Sequence, residues 1–102
     1  MKIIRLYRPV RTPKAGEELQ LDHDMVQELE IGAWIKQLSS AQAIRSLGIA
    51  ATQAYHIRFR APEYLPHEPA TGWQIKDDED RIYVVRAALR TGRMMTLTVE
   101  RL

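Results

Sequence analysis

The feature that most constrains this chain is a run of alternation between Met25 and Leu38. Leu29, Ile31, Ala33 and Ile35 occupy one face of it, and Glu28, Glu30, Gly32 and Trp34 the other. A period of two belongs to a half-buried β-strand, because successive side chains leave a pleated backbone on opposite sides. Trp34 falls on the mostly polar face. Two readings of it stay open: it packs under a loop or on the far side of a closed sheet, or it anchors an interface.

The same period recurs along the chain. Lys2 to Val10 sets Ile4 and Leu6 against Ile3, Arg5 and Tyr7, which predicts an opening strand. Pro9 belongs at an edge or bulge there, since proline has no N–H for a ladder. Ala51 to Arg60 puts Gln53, Tyr55, Ile57 and Phe59 on a core side and Thr52, Ala54, His56, Arg58 and Arg60 on a wet side. Trp73 to Lys76, Arg81 to Leu89 and Met95 to Arg101 read as a closing meander, with turns at Asp77-Asp78-Glu79-Asp80 and at Thr91-Gly92. In the last strand Met95, Leu97 and Val99 share the side expected to face a core.

The connections differ in character. Thr12 to Asp24 is polar, with Pro13, Gly16 and several acids, and reads as a loop. Ser39 to Ala50 offers Ser39 or Ser40 as a helix cap and repeats Ala41, Ile44 and Leu47 at a spacing of three until Gly48. That permits one or two helical turns, with a loop as the rival reading, and either form would depend on its neighbours for order. Ala61 to Gly72 carries Pro62, Pro66 and Pro69 and reads as an extended link. The expected fold is therefore a single domain over residues 1–102, mainly β. It is a small β-barrel or sandwich of five to six antiparallel strands with one short helix or long loop.

At 102 residues and 45% hydrophobic, the chain suits one core. A domain of this size is only marginally stable alone, so a partner that covers further apolar surface is an ordinary way to add stability. No stretch reaches the ~20 apolar residues of a membrane span, and the start lacks the apolar run of a signal peptide, so a soluble, unexported chain is expected. The absence of cysteine excludes disulfides and thiolate metal sites. Net charge is +2, and eleven of the fifteen cations are Arg, scattered from Arg5 to Arg101. A phosphate-tracking surface needs its cations on one face, whereas scattered Arg beside acid clusters suits carboxylate pairing at protein interfaces.

The residues of catalysis do not gather. His23, His56 and His67 lie far apart without metal-ligand spacing, and Ser39 and Ser40 sit outside any G-x-S-x-G elbow. The five glycines form no phosphate-binding loop, and the Asp77–Asp80 run lacks the spacing of a calcium loop and reads as a solvated turn. No catalytic residue, metal ligand or cofactor is nominated, and an enzyme is not expected.

Read in order, four segments resemble the head-closure or head–tail joining family of tailed-phage connectors, the stopper and adaptor proteins. They are IIRLYRPVR, LEIGAWIKQLSSAQAI, ATQAYHIRFR and GWQIKDDEDRIYVVRAALRTGRMMTLTVERL. The order and spacing carry the likeness over most of residues 1–102. Departures are Leu38-Ser39-Ser40, where the family often has a glycine, and a longer proline-rich link.

The resemblance implies a small barrel-like virion protein in a homo-oligomeric ring at the head–tail interface. A portal or adaptor protein lies on the head side, a tail completion or terminator protein on the tail side, and packaged double-stranded DNA in the channel, with no membrane. It further implies that the segment about Ser39 to Ala50 reaches the channel. Its candidate channel-facing residues are Ser39, Ser40, Gln42, Arg45 and Ser46, with Arg45 set either against DNA phosphate or in a salt bridge to a neighbour. Candidate inter-subunit contacts are Trp34, Arg58, Arg60, Asp77, Asp78 and Asp80. The alternative is an OB-like barrel binding single-stranded nucleic acid through Tyr55, Phe59 and Arg58. It asks for exposed aromatics, whereas Tyr55 and Phe59 share a side with Ile57. A regulatory protein with a peptide-binding strand edge is a third class.

Overall fold

The alternating segments pair into six antiparallel strands that close on themselves. The computed structural model describes residues 1–17, 19–39, 41, 42, 45 and 53–102. Its elements are β1 (Lys2–Pro9), α1 (Leu21–Asp24), β2 (Met25–Gln37), β3 (Ala54–Arg60), β4 (Gln74–Lys76), β5 (Ile82–Thr91) and β6 (Met94–Arg101). The strand order around the barrel is β1-β2-β3-β6-β5-β4. This is the barrel member of the expected pair of architectures.

The long strand serves two neighbours in turn. Met25 to Ala33 pairs with β1, and Trp34 to Gln37 pairs with β3, so β2 carries the sheet around one side of the barrel. The other side closes through a short strand: β4 pairs with Arg5 to Tyr7 of β1 and with Ile82 to Val84 of β5. The register shift at Leu6 and Tyr7, which pair with Leu29 and Gln27, leaves Glu28 as an extra residue and bends β2 beside the part of β1 that serves both pairings.

The core follows the period of two. Ile4 and Leu6 of β1, Ile57 and Phe59 of β3, and Leu97 and Val99 of β6 are fully buried, joined by Ile75, Val85 and Met95. Trp73 and Tyr83 complete this cluster, and Leu29, Ile31, Ile35 and Tyr55 pack against it. Each large side chain so buried contributes about 1.5–3 kcal/mol. Ala54 departs from the pattern. Expected on the wet side, it is fully buried, and Leu38, whose N–H donates to its carbonyl at 2.9 Å, is buried too.

One of the two connections that flank β2 differs from its sequence reading. The loop before β2 contains the one-turn helix α1. The excursion leaves and rejoins the sheet at one place, where Val10 N–H donates to Asp24 O at 2.8 Å. Asp24 ties it shut by accepting from Gln20 N–H at 2.8 Å and from Arg11 Nε at 2.9 Å. After β2, Ser39 caps as expected: its Oγ accepts from Gln42 N–H at 3.2 Å while Gln42 Oε1 accepts from Ser39 N–H at 3.0 Å, a reciprocal capping box. Ser40 and Ser46, with most of the expected helical segment, lie outside the described residues.

The β5–β6 hairpin turns on Gly92-Arg93, between the paired Thr91 and Met94. Gly92 has φ +60°, the left-handed value that a two-residue turn of this kind asks of its first position.

The acidic turn between β4 and β5 is corrected most. Asp78 and Asp80 are exposed, but Asp77 is buried. Asp77 Oδ1 accepts from Glu79 N–H and Arg81 N–H, both at 2.9 Å, and Oδ2 accepts from Arg81 Nε at 2.8 Å and Tyr83 Oη at 2.9 Å. The carboxylate is therefore an internal clamp of its own hairpin, because a turn of this tightness leaves N–H donors that only an inward acceptor can satisfy. Burial alone would raise the Asp77 carboxyl. The four donors outweigh burial and hold it below its ordinary value of 3.8. Burial, and then the bond to Asp77, push the Tyr83 hydroxyl up to about 12.

We expect Asp77→Ala to cost about 3 kcal/mol in denaturant unfolding, since it strands buried donors, and Tyr83→Phe about 1.5–3 kcal/mol. The Asp77 carboxyl is lowered in the folded state, so its contribution is full above pH 3.8 and is lost as pH falls through the folded-state value. Acid titration of stability should accordingly show a smaller loss below pH 3.8 for Asp77→Asn than for the parent.

Candidate functional site

The barrel interior is filled by side chains, so its chemistry lies on the outside. Where β2 passes from β1 to β3, the register sets Trp34 opposite Arg58 and Lys36 opposite His56. On the far side of β3, His56 faces Thr98, Arg58 faces Thr96 and Arg60 faces Met94. Arg93 adjoins the end of this row, its carbonyl accepting from Ala61 N–H at 2.7 Å. Lys36, His56, Arg58, Arg60 and Arg93 thus follow β3 from one end to the other.

Trp34 is 54% exposed, which removes the reading that places it under a loop. Ile3 is exposed at the neighbouring position, opposite Gly32, and Met1 lies over Gly32 where a side chain on β2 would meet its sulfur. Met1, Ile3 and Trp34 form an apolar patch at the border of the cationic row.

The electrostatics of this face differ from those of the rest of the barrel. Lys2 pairs with Glu79, Arg5 with Glu30, Arg8 with Glu28 and Arg11 with Glu17 and Asp24. Lys76 pairs with Asp80, Arg81 with Asp77 and Glu79, Arg86 with Glu100 and Arg90 with Glu68. Among the described residues, Lys36, Arg58, Arg60 and Arg93 have no such acid partner, nor do Lys14, Arg45 and Arg101 elsewhere in the chain. The nearest acids along the same strands, Glu30 and Glu100, are bound to Arg5 and Arg86. Partial burial, then the charges of Lys36 and Arg58, lower the His56 imidazole from its ordinary 6.5.

The candidates chosen from sequence divide accordingly. Trp34, Arg58 and Arg60 come together on the β2–β3 face. Asp78 and Asp80 sit on the β4–β5 turn, away from that face, while Asp77 is inside. Ser39, Gln42 and Arg45 follow β2, beyond its Lys36 end. Tyr55 and Phe59, proposed as a stacking platform, are not displayed: Phe59 is fully buried and Tyr55 meets Tyr83 edge-on at 5.4 Å. Lys36, His56 and Arg93 were missed as members of a site. Their alternation placed Lys36 and His56 on wet faces, but only the register sets them together.

A groove of about 640 Å³ lies elsewhere, floored by Pro9, Val10, Leu19 and Val84 and rimmed by Arg11, Glu17 and Arg86. The charged groups on its rim are already in ion pairs. Among the described residues no group of three or more His, Asp or Glu could hold a metal, and no helix is long and apolar enough to cross a membrane. No family model matches this chain, and a search of curated proteins finds no significant match.

NMR titration should place the His56 midpoint below 6.5, and Lys36→Gln should move it upward, since a neighbouring positive charge that opposes protonation is removed.

Proposed function

We propose that this chain is a structural subunit of a tailed-phage connector, one copy of the homo-oligomeric ring that closes the DNA-filled head and joins it to the tail. The observation that carries the reading is a small closed barrel whose exposed features are those of assembly rather than of chemistry. Chief among them is Trp34, half out of the surface beside Ile3 and Met1, since aromatic anchors supply much of the energy of protein interfaces. The ordered resemblance over most of the chain supports the same reading.

In this ring Trp34 and its apolar neighbours meet one adjoining copy, and the exposed Asp78 and Asp80 meet another. A head-to-tail contact of that type uses two different surfaces of each copy and closes when the rotation between copies is right. Ser39 and Gln42, which follow β2, face the channel, and portal and tail-side proteins cover the two rims. Virion location and the absence of enzymatic activity belong to this proposal.

Purified protein should co-sediment with DNA-filled, tail-less heads and protect the genome from nuclease. Trp34→Ala should weaken that association at least tenfold, the order expected when an aromatic anchor is truncated, without changing the melting temperature of the free subunit by more than a few degrees. Failure of the parent protein to bind heads or protect the genome would overturn the proposal.

A further inference from the structure

We infer that the outer face of β3, with Lys36 of β2 and Arg93 of the hairpin turn, is a binding strip for the phosphodiester backbone of duplex DNA. Scattered arginines are weak evidence for phosphate binding, but the structure sorts them. Once each described cation with an acid partner is set aside, seven remain, and four of them, Lys36, Arg58, Arg60 and Arg93, follow β3 as one continuous row, while Lys14, Arg45 and Arg101 lie apart from it in the chain. Lys36 and His56 stand directly opposite each other, and cross-strand pairs of like charge are unfavourable when both are protonated. A fold gains nothing from such a row by itself, whereas a polyanion relieves it.

The chemistry of the row selects the kind of anion. Its members, with Thr96 and Thr98 alongside, all carry hydrogen-bond donors, and no carboxylate lies among them. Alternate residues of β3 repeat every ~6.7 Å, so His56, Arg58 and Arg60 present evenly spaced donors to a regular line of acceptors. Such contacts fix position on a backbone without reading bases. The row also ends, at Lys36 and His56, close in the chain to Ser39, which faces the channel in the proposed ring, and this sets the strip against the channel wall. The choice of duplex DNA rests on that ring reading; the strip itself does not. Arg58 and Arg60 are thereby assigned to DNA rather than to a neighbouring subunit.

The test is fluorescence anisotropy with a labelled random-sequence duplex, and with the single strand of the same length, over a range of salt. The duplex should bind, with log affinity falling against log salt at a slope of about −4 for four neutralised phosphates. Each of Arg58→Gln, Arg60→Gln and Arg93→Gln should reduce that slope by about 1. The quadruple variant, with Lys36→Gln added, should lose at least tenfold in affinity, while Arg86→Gln, on a paired cation, leaves binding within about twofold. A triple variant carrying Arg58→Lys, Arg60→Lys and Arg93→Lys should keep the slope, which separates charge from a structural effect.

Unchanged duplex affinity in the folded quadruple variant, or no salt-sensitive binding by the parent, would overturn the inference. So would preference for the single strand with equal loss in Trp34→Ala, which indicates base stacking. Salt-sensitive self-association abolished in the quadruple variant would instead assign the strip to a protein neighbour. Duplex binding that maps to the strip in a protein that ignores phage heads would sink the ring reading and leave the strip standing. Head binding without duplex binding would do the reverse.

Discussion

Closure of this barrel depends on a strand of three residues. Gln74 to Lys76 is the only bridge between β1 and β5 among the described pairings, and without it the sheet would be an open ribbon with two long edges. Three ladder positions are too few to hold a closure by themselves. The Asp77 clamp and backbone bonds from Gly72 and Asp77 to Val85 and Arg81 reinforce the β5 side of the closure: the carboxylate follows the last residue pair of β4 and reaches the backbone of Arg81 and the hydroxyl of Tyr83 on β5. A single buried carboxylate fixes the turn, the start of β5 and one core aromatic together. Its four donors make the charge tolerable inside, and its charge in turn strengthens the four bonds.

Around that closure the acids are used where the cations are dense. Most of the ion pairs are exposed, and each adds little stability. Their greater consequence is for the surface potential, because pairing cancels the field over β1, β4 and β5 and leaves the β3 side positive. A net charge of +2 conceals this, as it sums over faces that differ in kind. The relevant quantity is the charge left after internal pairing.

The fold was legible in the sequence to the extent that it rests on side-chain period. Alternation at Ile4 and Leu6, at Ile57 and Phe59, and at Met95, Leu97 and Val99 identified the core face of three strands. What period could not give was a choice between barrel and sandwich, because closure turns on a three-residue strand too short to show a pattern. Nor could it tell Asp77 from the acids that follow it: four adjacent carboxylates look alike until one turn geometry selects which points inward. The candidate site was half legible. Trp34, Arg58 and Arg60 were identified on wet faces, but gathering them with Lys36, His56 and Arg93 required the pairing of β2 with β3 and the location of the hairpin tip.

The arrangement also separates two tasks that a small barrel finds hard to combine. A polyanion-binding row works best with few acids near it, whereas a protein contact works best with an apolar centre. β2 meets both needs by changing neighbours midway: up to Ala33 it pairs with β1, where Gly32 leaves room for Met1 beside Ile3, and from Trp34 onward it pairs with β3, where cations follow. Trp34 stands at that change, with the apolar patch on one side and Arg58 on the other. One strand passing between two partners therefore divides the outer wall into an apolar surface and a cationic one, and the same crossing that wraps the sheet into a barrel sets the boundary between them.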